Sequence, residues 1–270
     1  MQKQTDILLD FTHTYTKEWM EKFPGLHHLD CSDIGGTDMY CTKEAQAELE
    51  RRLQAYPING IHFLDSGNYH YVTRLFTKRI EEPYQLVFFD NHNDMQPSMI
   101  PDLLSCGAWA KQVMEEDSHL ERMYLIGPGR SAINEIPLDI QQDKKQKLVC
   151  ISREELREGE GREPQNEPGW QNTLSGRLPV YLSIDKDVLS QEYARTNWDQ
   201  GEMELCALEE ILRWIKSRNR IIGVDICGEF PNPPNSQASE VQRINERTNA
   251  ALYEMFAGAV TGIHNAMERG

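Results

Sequence analysis

The segment YQLVFFDNHNDMQ, residues 84–96, runs from a largely apolar stretch directly into two carboxylates and an imidazole. These side chains, Asp90, His92 and Asp94, occupy alternate positions, which places them on one side of an extended backbone. Buried parallel strands read as continuous apolar runs, and open α/β sheets bind ligands at the carboxyl ends of such strands. The segment therefore predicts a polar site at the carboxyl edge of a parallel sheet. A turn whose aspartates cap the next element is the alternative for this motif alone.

Further short apolar runs, each followed by polar or glycine-rich residues and then by a helical pattern, are typical of a parallel sheet flanked by helices. With the segment above, the predicted strands are Asp6–Phe11, Ile61–Leu64, Tyr84–Phe89, Arg122–Ile126, Lys147–Ile151, Pro179–Ile184 and Ile221–Ile226. Apolar spacing of three and four predicts helices at Lys43–Ala55, Tyr69–Ile80, Leu104–Glu116, Leu208–Arg218 and Glu240–Glu268. The stretch between Ile151 and Val180 is rich in Glu, Gly, Pro and Asn, which predicts a surface loop. Without a repeat or a compositional break, we predict a single α/β domain over residues 1–270.

The composition narrows the classes of function. The 43 Asp and Glu residues outnumber the 28 Lys and Arg residues, for a formal charge of -15, and no long basic cluster offsets them. Nucleic acid and anionic membranes are therefore not expected as partners. No apolar run approaches the ~20 residues of a membrane span, and the amino terminus lacks a signal-peptide pattern. The six cysteines are scattered without a CxxC pair, so we expect reduced thiols and a cytoplasmic location.

A second motif, PVYLSIDKDVL, repeats the arrangement of an apolar strand that ends in acids. Asp185 and Asp187 lie two residues apart, and Lys186 between them faces the other way. Two carboxylates forced together repel each other, and a bound dication removes that penalty. The ordinary alternative is that one aspartate caps a helix and the other lies on the surface. A metal site is favoured because the first motif shows the same arrangement at a strand end.

A third motif, IHFLDSGNYHYV, ends a strand in a serine and a glycine before the next helix begins. His70 falls in the first turn of that helix and faces the same crevice. A lone histidine is more often a surface or packed residue than a ligand. Gly67 favours the ligand reading, because a backbone that turns sharply beside a metal commonly needs a residue without a Cβ.

The motifs SGNYH, DNHND and DKD together, within about residues 61–231, resemble the arginase, agmatinase and formiminoglutamase family of ureohydrolases in their order and spacing. The resemblance implies a three-layer α/β/α fold of the arginase/deacetylase type, with a mainly parallel sheet. It also implies two Mn²⁺ ions, or another divalent metal, that activate a water for attack on a trigonal carbon. The implied ligands are His70, Asp90, Asp94 and Asp185 for one ion and Asp90, His92, Asp185 and Asp187 for the other.

The same resemblance implies roles in catalysis and substrate binding. Asp94 would also orient the attacking water. In GVDICGEFPNP, the alignment reaches Glu229 with an extra Gly228, and this glutamate would hold a cationic guanidinium group. Cys106 stands where the family usually has a histidine that shuttles protons. The thiol could transfer protons or only pack, and the shuttle could instead be His13, near the end of the first strand, or no side chain at all.

The loop after the DKD motif supplies candidate substrate contacts. Trp198, Asp199 and Gly201 would line the pocket mouth, although Trp198 could equally anchor its loop by packing. Tyr69 and Trp109 are also predicted near the cleft, where each could either line the pocket or pack within the domain.

These motifs predict a binuclear manganese-dependent hydrolase that cleaves a C–N bond of a guanidino or related amidine group. A mononuclear zinc amide deacetylase of the same fold is one alternative, but such enzymes usually lack the equivalents of His70, Asp94 and Asp187. A metal-binding member without enzymatic activity is the other, and the altered Cys106 position supports it. The expected partner is a small cationic guanidino compound or an arginine side chain within a peptide, and the resemblance also allows a homo-oligomer.

Overall fold

An eight-stranded sheet organises the chain in the computed structural model, which describes residues 4–97, 100, 103–138, 140, 147–159, 169 and 171–260. The strands lie in the order β2-β1-β4-β10-β9-β5-β7-β8, and every neighbouring pair is parallel. Their bounds are β1 Asp6–Asp10, β2 Leu26–Asp30, β4 Ile61–Phe63, β5 Tyr84–Phe89, β7 Leu120–Ile126, β8 Leu148–Ile151, β9 Val180–Asp185 and β10 Ile221–Cys227. Two short strands, β3 Tyr40–Cys41 and β6 Leu104–Ser105, pair antiparallel outside this sheet.

Helices connect the strands and cover both faces of the sheet. Their bounds are α1 Lys17–Met20, α2 Lys43–Leu53, α3 Val72–Thr77, α4 Trp109–Glu116, α5 Arg130–Asn134, α6 Arg153–Gly159, α7 Leu205–Arg218 and α8 Ala238–Phe256. Short 3₁₀ turns follow β4 at Gly67–Tyr69 and β9 at Lys186–Val188. Among the described helices, none has the length and apolar content needed to cross a membrane.

The core consists of two apolar layers, one on each face of the sheet. In β5, Leu86 and Phe88 belong to the layer formed with α2, α3 and α4, whereas Val87 and Phe89 belong to the layer formed with α7 and α8. All four side chains are fully buried. Burial on both faces explains the continuous apolar run, because successive side chains of a strand point to opposite faces. The predicted α/β fold with a mainly parallel sheet between helix layers is confirmed.

Two local predictions were incomplete or wrong. Strand β2, LHHLD, was not predicted, because its side chains are exposed or half-buried at the sheet edge and give no apolar run. The helix predicted to begin at Leu104 begins at Trp109 instead, since Leu104 and Ser105 pair with Cys41 and Tyr40 as a short strand. Local propensity could not show this pairing, because the two segments lie far apart in sequence.

The last helix is shorter than predicted. It ends at Phe256, and the turn that follows contains Gly258 in the left-handed region at φ 72°. The predicted continuation over 261–268, with Ile263, lies outside the described residues. In the loop between Ile151 and Val180, α6 and a 3₁₀ turn at Gln171–Thr173 are described.

Candidate metal centre

The first acidic motif lies directly after β5 at the carboxyl edge of the sheet. The Oδ1 atom of Asp90 accepts a hydrogen bond from the His92 backbone N–H at 2.7 Å. Asp94 follows in the left-handed backbone region at φ 48°, which is uncommon for a residue other than glycine. Its Oδ2 atom accepts a hydrogen bond from the indole N–H of Trp109 at 2.5 Å. The turn therefore holds both carboxylates inward, where they are almost fully buried.

The second acidic motif ends the neighbouring strand, β9. Asp185 is its last residue, and its Oδ1 atom accepts a hydrogen bond from the Asp187 backbone N–H at 3.0 Å. Asp187 accepts a hydrogen bond through Oδ1 from the Asn91 backbone N–H at 2.9 Å. This bond ties the two motifs together, and both carboxylates are buried.

His70 approaches the same point from the turn after β4. Its Nε2 atom hydrogen-bonds with the Ser183 hydroxyl at 2.8 Å, which fixes the ring. The other nitrogen, Nδ1, lies 3.2 Å from Asp90, 3.1 Å from Asp94 and 3.6 Å from Asp185. It makes no hydrogen bond within the described part of the chain, although the ring is only 1% exposed. An unsatisfied buried nitrogen among carboxylates is the arrangement that a metal ion would satisfy.

Gly67 lets this turn come close to the acids. A Cβ at Gly67 would lie 2.8 Å from Oδ2 of Asp185 and 3.0 Å from the Trp198 ring. This close approach leaves no room for a Cβ, which is the physical reason to expect a glycine at this position.

The six predicted metal ligands all meet at this edge. The ligand atoms of His70, Asp90 and Asp94 lie within 4.8 Å of one another, and so do those of Asp90, His92 and Asp187. Asp90 belongs to both groups, which is the geometry expected of a shared ligand. The fourth carboxylate, Asp185, is grouped with His70 and with Cys227, a residue that the sequence analysis did not propose.

The electrostatics of the cluster favour a cation. Burial, together with the charges of Asp187 and Asp90, raises the pKa of Asp185 to about 7. Burial and the charge of Asp90 also raise the pKa of Asp187 to about 6. For His92, burial lowers the pKa, but hydrogen bonds with Asp187 and Asp90 outweigh it and raise the value to about 12. All three pKa shifts reflect a local excess of negative charge that a divalent ion would neutralise.

Glu229, the predicted substrate contact, lies outside the pocket lining and is already paired within the chain. Its carboxylate accepts hydrogen bonds from Lys186 and from Asn249 on Oε1, and from Asn245 on Oε2 at 3.0 Å. Both members of the Lys186–Glu229 ion pair are buried, and Glu229 is not part of the pocket lining. The cause is Gly228, whose φ of +93° turns the chain sharply after β10.

The two candidate proton shuttles are placed differently. Cys106 lines the pocket, and burial together with the charge of Asp94 raises the pKa of its thiol to about 12. The thiol therefore stays protonated near neutral pH. His13 has a side chain that is 61% exposed, lies 3.4 Å from Asp10 and is not part of the pocket lining.

The loop after β9 forms one wall of the pocket. Trp198 packs edge-on against His92 with ring centroids 5.5 Å apart, and its indole N–H donates to Asn68 at 2.8 Å. Asp199 has an exposed side chain 3.9 Å from Nε2 of His92, and its carbonyl accepts a hydrogen bond from Asn91. Trp198 thus lines the pocket, whereas Asp199 lies at its rim.

The remaining candidates, Gly201, Tyr69 and Trp109, lie outside the pocket lining. A Cβ at Gly201 would collide with the Val188 carbonyl at 2.4 Å. Tyr69 stacks on Phe11 with ring centroids 4.0 Å apart. Trp109 packs against His70 at 4.7 Å in addition to its bond with Asp94.

Several residues that shape the site escaped sequence reasoning. Ser183 is one of them and orients His70 from within β9. Asp65 anchors the turn after β4 by accepting hydrogen bonds from the Phe11 and Thr12 backbone N–H groups. Each of these contacts joins segments from different parts of the chain, so no local sequence pattern predicts them. Only the alternation in YLSID could have suggested that Ser183 faces the same side as Asp185.

The cluster forms the floor of one pocket. The lining residues share a position at the carboxyl edge of the sheet; they are Gly67, Asp90, His92, Asn93, Asp94, Gln96, Cys106, Gly107, Ala132, Glu135, Asp185, Asp187 and Trp198.

Comparison with known proteins agrees with this fold. A family model described as the arginase family matches residues 11–252. An uncharacterized protein of Thermotoga maritima is 30% identical over 247 residues, which cover 91% of this chain and 88% of that protein. The chain belongs to the arginase family.

Solved structures share the fold at low sequence identity. The proclavaminate amidino hydrolase of Streptomyces clavuligerus superposes with a TM-score of 0.66 at 16% identity, covering 96% of this chain and 94% of that one. A formiminoglutamase of Trypanosoma cruzi, solved with Mn²⁺, gives 0.64 at 13% identity, covering 96% and 95%. The arginase of Bacillus subtilis gives 0.60 at 12% identity, covering 91% and 97%. At these identities the likeness establishes the fold alone.

Proposed function

We propose that this chain is a binuclear manganese-dependent hydrolase that cleaves a C–N bond of a guanidino or related amidine group. The observation that carries the proposal is the buried, unsatisfied Nδ1 atom of His70 among three carboxylates. This donor set of imidazole nitrogen and carboxylate oxygen suits Mn²⁺. Family membership supports the reaction class, and a relative solved with Mn²⁺ supports the metal.

The residues fit a pair of ions that share ligands. His70, Asp90 and Asp94 would hold one, and Asp90, His92 and Asp187 the other, with Asp185 beside both groups. Bound divalent ions would supply Lewis-acid polarisation and a water of lowered pKa.

The protein's own groups would prepare the reaction. Trp109 holds the Asp94 carboxylate in place, so that this carboxylate can accept a hydrogen bond from an attacking water. Ser183 fixes the ring of His70. Trp198 forms part of the pocket wall and packs edge-on against His92. These contacts would hold the reacting groups in position before substrate binds. Such preorganisation accounts for a large part of the rate enhancement of many enzymes.

The pocket's charge supports a cationic substrate. Glu135 lines the pocket outside the acidic cluster, so its carboxylate remains available to attract a positive group. A small guanidino compound, or an arginine side chain within a peptide, has this charge. Glu229 is a weaker candidate for substrate contact than the sequence suggested, because Lys186, Asn245 and Asn249 already occupy its oxygens. We keep the cytoplasm as the proposed location and homo-oligomerisation as a proposal.

The test is metal analysis followed by product assays. Purified protein would be stripped, reloaded with Mn²⁺, and assayed for urea or a related amide with arginine, agmatine, formiminoglutamate, guanidinobutyrate and an arginine peptide. Two manganese equivalents with urea or amide release would support the proposal. One zinc with acetate release from acetylated amines would indicate a deacetylase, and bound metal without turnover would indicate a non-enzymatic member.

A further inference from the structure

Cys227 lies at the buried side of the metal centre. It is the last residue of β10 and pairs in register with Asp185, the last residue of β9. Its thiol donates a hydrogen bond to Oδ2 of Asp185 at 3.1 Å, and the residue is 1% exposed. Gly228, at φ +93°, turns the chain immediately afterwards, and a Cβ there would lie 2.6 Å from Oδ1 of Asp185. The turn that moves Glu229 away thus leaves a sulfur against the acidic cluster.

A second, independent feature points to a ligand at the same place. The Nδ1 atom of His70 is buried, makes no hydrogen bond within the described chain, and lies 3.6 Å from the same Oδ2 atom of Asp185. A sulfur, an imidazole nitrogen and a carboxylate oxygen, from Cys227, His70 and Asp185, lie within 4.8 Å of one another. The ends of β9 and β10 and the turn after β4 therefore bring three different donor atoms to one point.

The distances suit a shared ion. Ligand bonds of about 2.3 Å to sulfur and about 2.0 Å to nitrogen or oxygen put two ligands of one tetrahedral ion roughly 3 to 3.5 Å apart. The Cys227–Asp185 separation of 3.1 Å and the His70–Asp185 separation of 3.6 Å are close to that range. A thiol that only packed in the core would not need to face a carboxylate and an unsatisfied imidazole together.

We infer that Cys227 is a sulfur ligand, which makes the buried half of the centre, His70, Asp185 and Cys227, a site for a thiophilic divalent ion such as Zn²⁺ or Co²⁺. Thiolate ligands select such ions, whereas carboxylate-rich sites suit Mn²⁺. The half of the centre around His92, with Asp90 and Asp187, keeps the oxygen-rich donor set. Coordination replaces the thiol proton, which leaves to solvent, with a sulfur–metal bond. The inference rests on the metal centre of the proposed function and changes which ion fills one half of it.

The experiment titrates metal-stripped protein with Co²⁺ and follows the near-ultraviolet charge-transfer band that arises only from sulfur bound to the metal. Wild type, Cys106→Ser and Cys206→Ser are expected to develop this band at one equivalent per chain. Cys106 lies in the same pocket, and Cys206 is an exposed thiol, so they control for other sulfurs. Cys227→Ser is expected to lose the band and to lose Zn²⁺ affinity by about tenfold or more, with a much smaller loss for Mn²⁺.

Wild-type protein provides a test that needs no variant. X-ray absorption of its zinc form is expected to show one sulfur scatterer at about 2.3 Å. A zinc shell of nitrogen and oxygen alone, or a charge-transfer band that survives in Cys227→Ser, would overturn the inference while leaving a metal-dependent hydrolase intact. Failure of every form to bind any divalent ion would instead overturn the proposed function together with the inference.

Discussion

A single buried carboxylate, Glu229, lies beside a cluster of four others, and the two sites differ in how their negative charge is neutralised. The ion-pair network, Lys186 with Glu229, Asn245 and Asn249, supplies its own cation and hydrogen-bond donors from within the chain. The metal cluster, formed by the four carboxylates of Asp90, Asp94, Asp185 and Asp187 with His70 and His92, gathers more negative charge than its two imidazoles offset. Buried charge is costly unless it is paired.

The difference shows which acids are structural and which are available to a ligand. Lys186 and Glu229 satisfy each other, so this pair contributes to the fold and requires nothing from solution. Asp185 and Asp187 are the direct chain neighbours of Lys186, yet both face the pocket and their charges repel each other. Alternation along the chain thus turns Lys186 towards Glu229 and leaves its two neighbours facing the pocket, where the proposed cation would bind.

The largest expected effect comes from the shared ligands of the metal cluster. Replacing Asp90 or Asp185 with alanine should abolish binding of the metal pair, because each carboxylate faces more than one of the other ligands. Metal content after gel filtration would measure this, with circular dichroism as a check on folding. Retention of both metals in either variant would contradict the assignment of these residues as shared ligands.

Substitutions in the ion-pair network should lower the stability of the protein rather than its metal binding. Glu229→Ala leaves the Lys186 ammonium buried without its carboxylate, which should lower the free energy of unfolding by about 3–5 kcal/mol. Urea denaturation measures the change. As a control, Glu202→Ala breaks ion pairs with Arg153 and Arg157. All three side chains are partly exposed, so the change should cost at most about 1 kcal/mol. Unchanged stability with a raised KM for guanidino substrates would instead restore the substrate-binding role of Glu229.

A smaller effect is expected from the hydroxyl that orients His70. Ser183→Ala removes the hydrogen bond to Nε2, so metal affinity should fall by about 10–100-fold. Competition with a chelator whose absorbance reports free metal gives the affinity. Thr73→Val is the matched control, because Thr73 contacts the same hydroxyl but not the ring. Equal losses in both variants would mean that packing, rather than orientation of His70, sets the affinity.

The smallest effect is expected at Cys106. Cys106→Ser should leave metal content unchanged, since the described ligand groups do not include this thiol. Its pKa, raised to about 12 by burial and by Asp94, keeps it protonated near neutral pH, so a role as proton shuttle predicts a large loss of activity that we do not expect. Metal analysis and the product assay would measure the two quantities separately. Lost metal would show that the sulfur is itself a ligand.

The sequence by itself determined the fold class and the strands that carry the site. Apolar runs such as YQLVFF are buried on both faces of a parallel sheet, and the acids that follow them come to one edge because parallel strands end together. The same logic singled out the residues that converge there; they are His70, Asp90, His92, Asp94, Asp185 and Asp187. Alternation and strand ends are local features, so they can be read from a single chain.

Tertiary structure alone decided which other groups contact and support those residues. The backbone turn at Gly228 moves Glu229 into contact with Lys186 and leaves Cys227 beside Asp185. Ser183 and other supporting groups reach the ligands across strands and helices that are distant in sequence. Their partners are set by strand order and by a single dihedral angle, and neither quantity leaves a periodic signal along the chain.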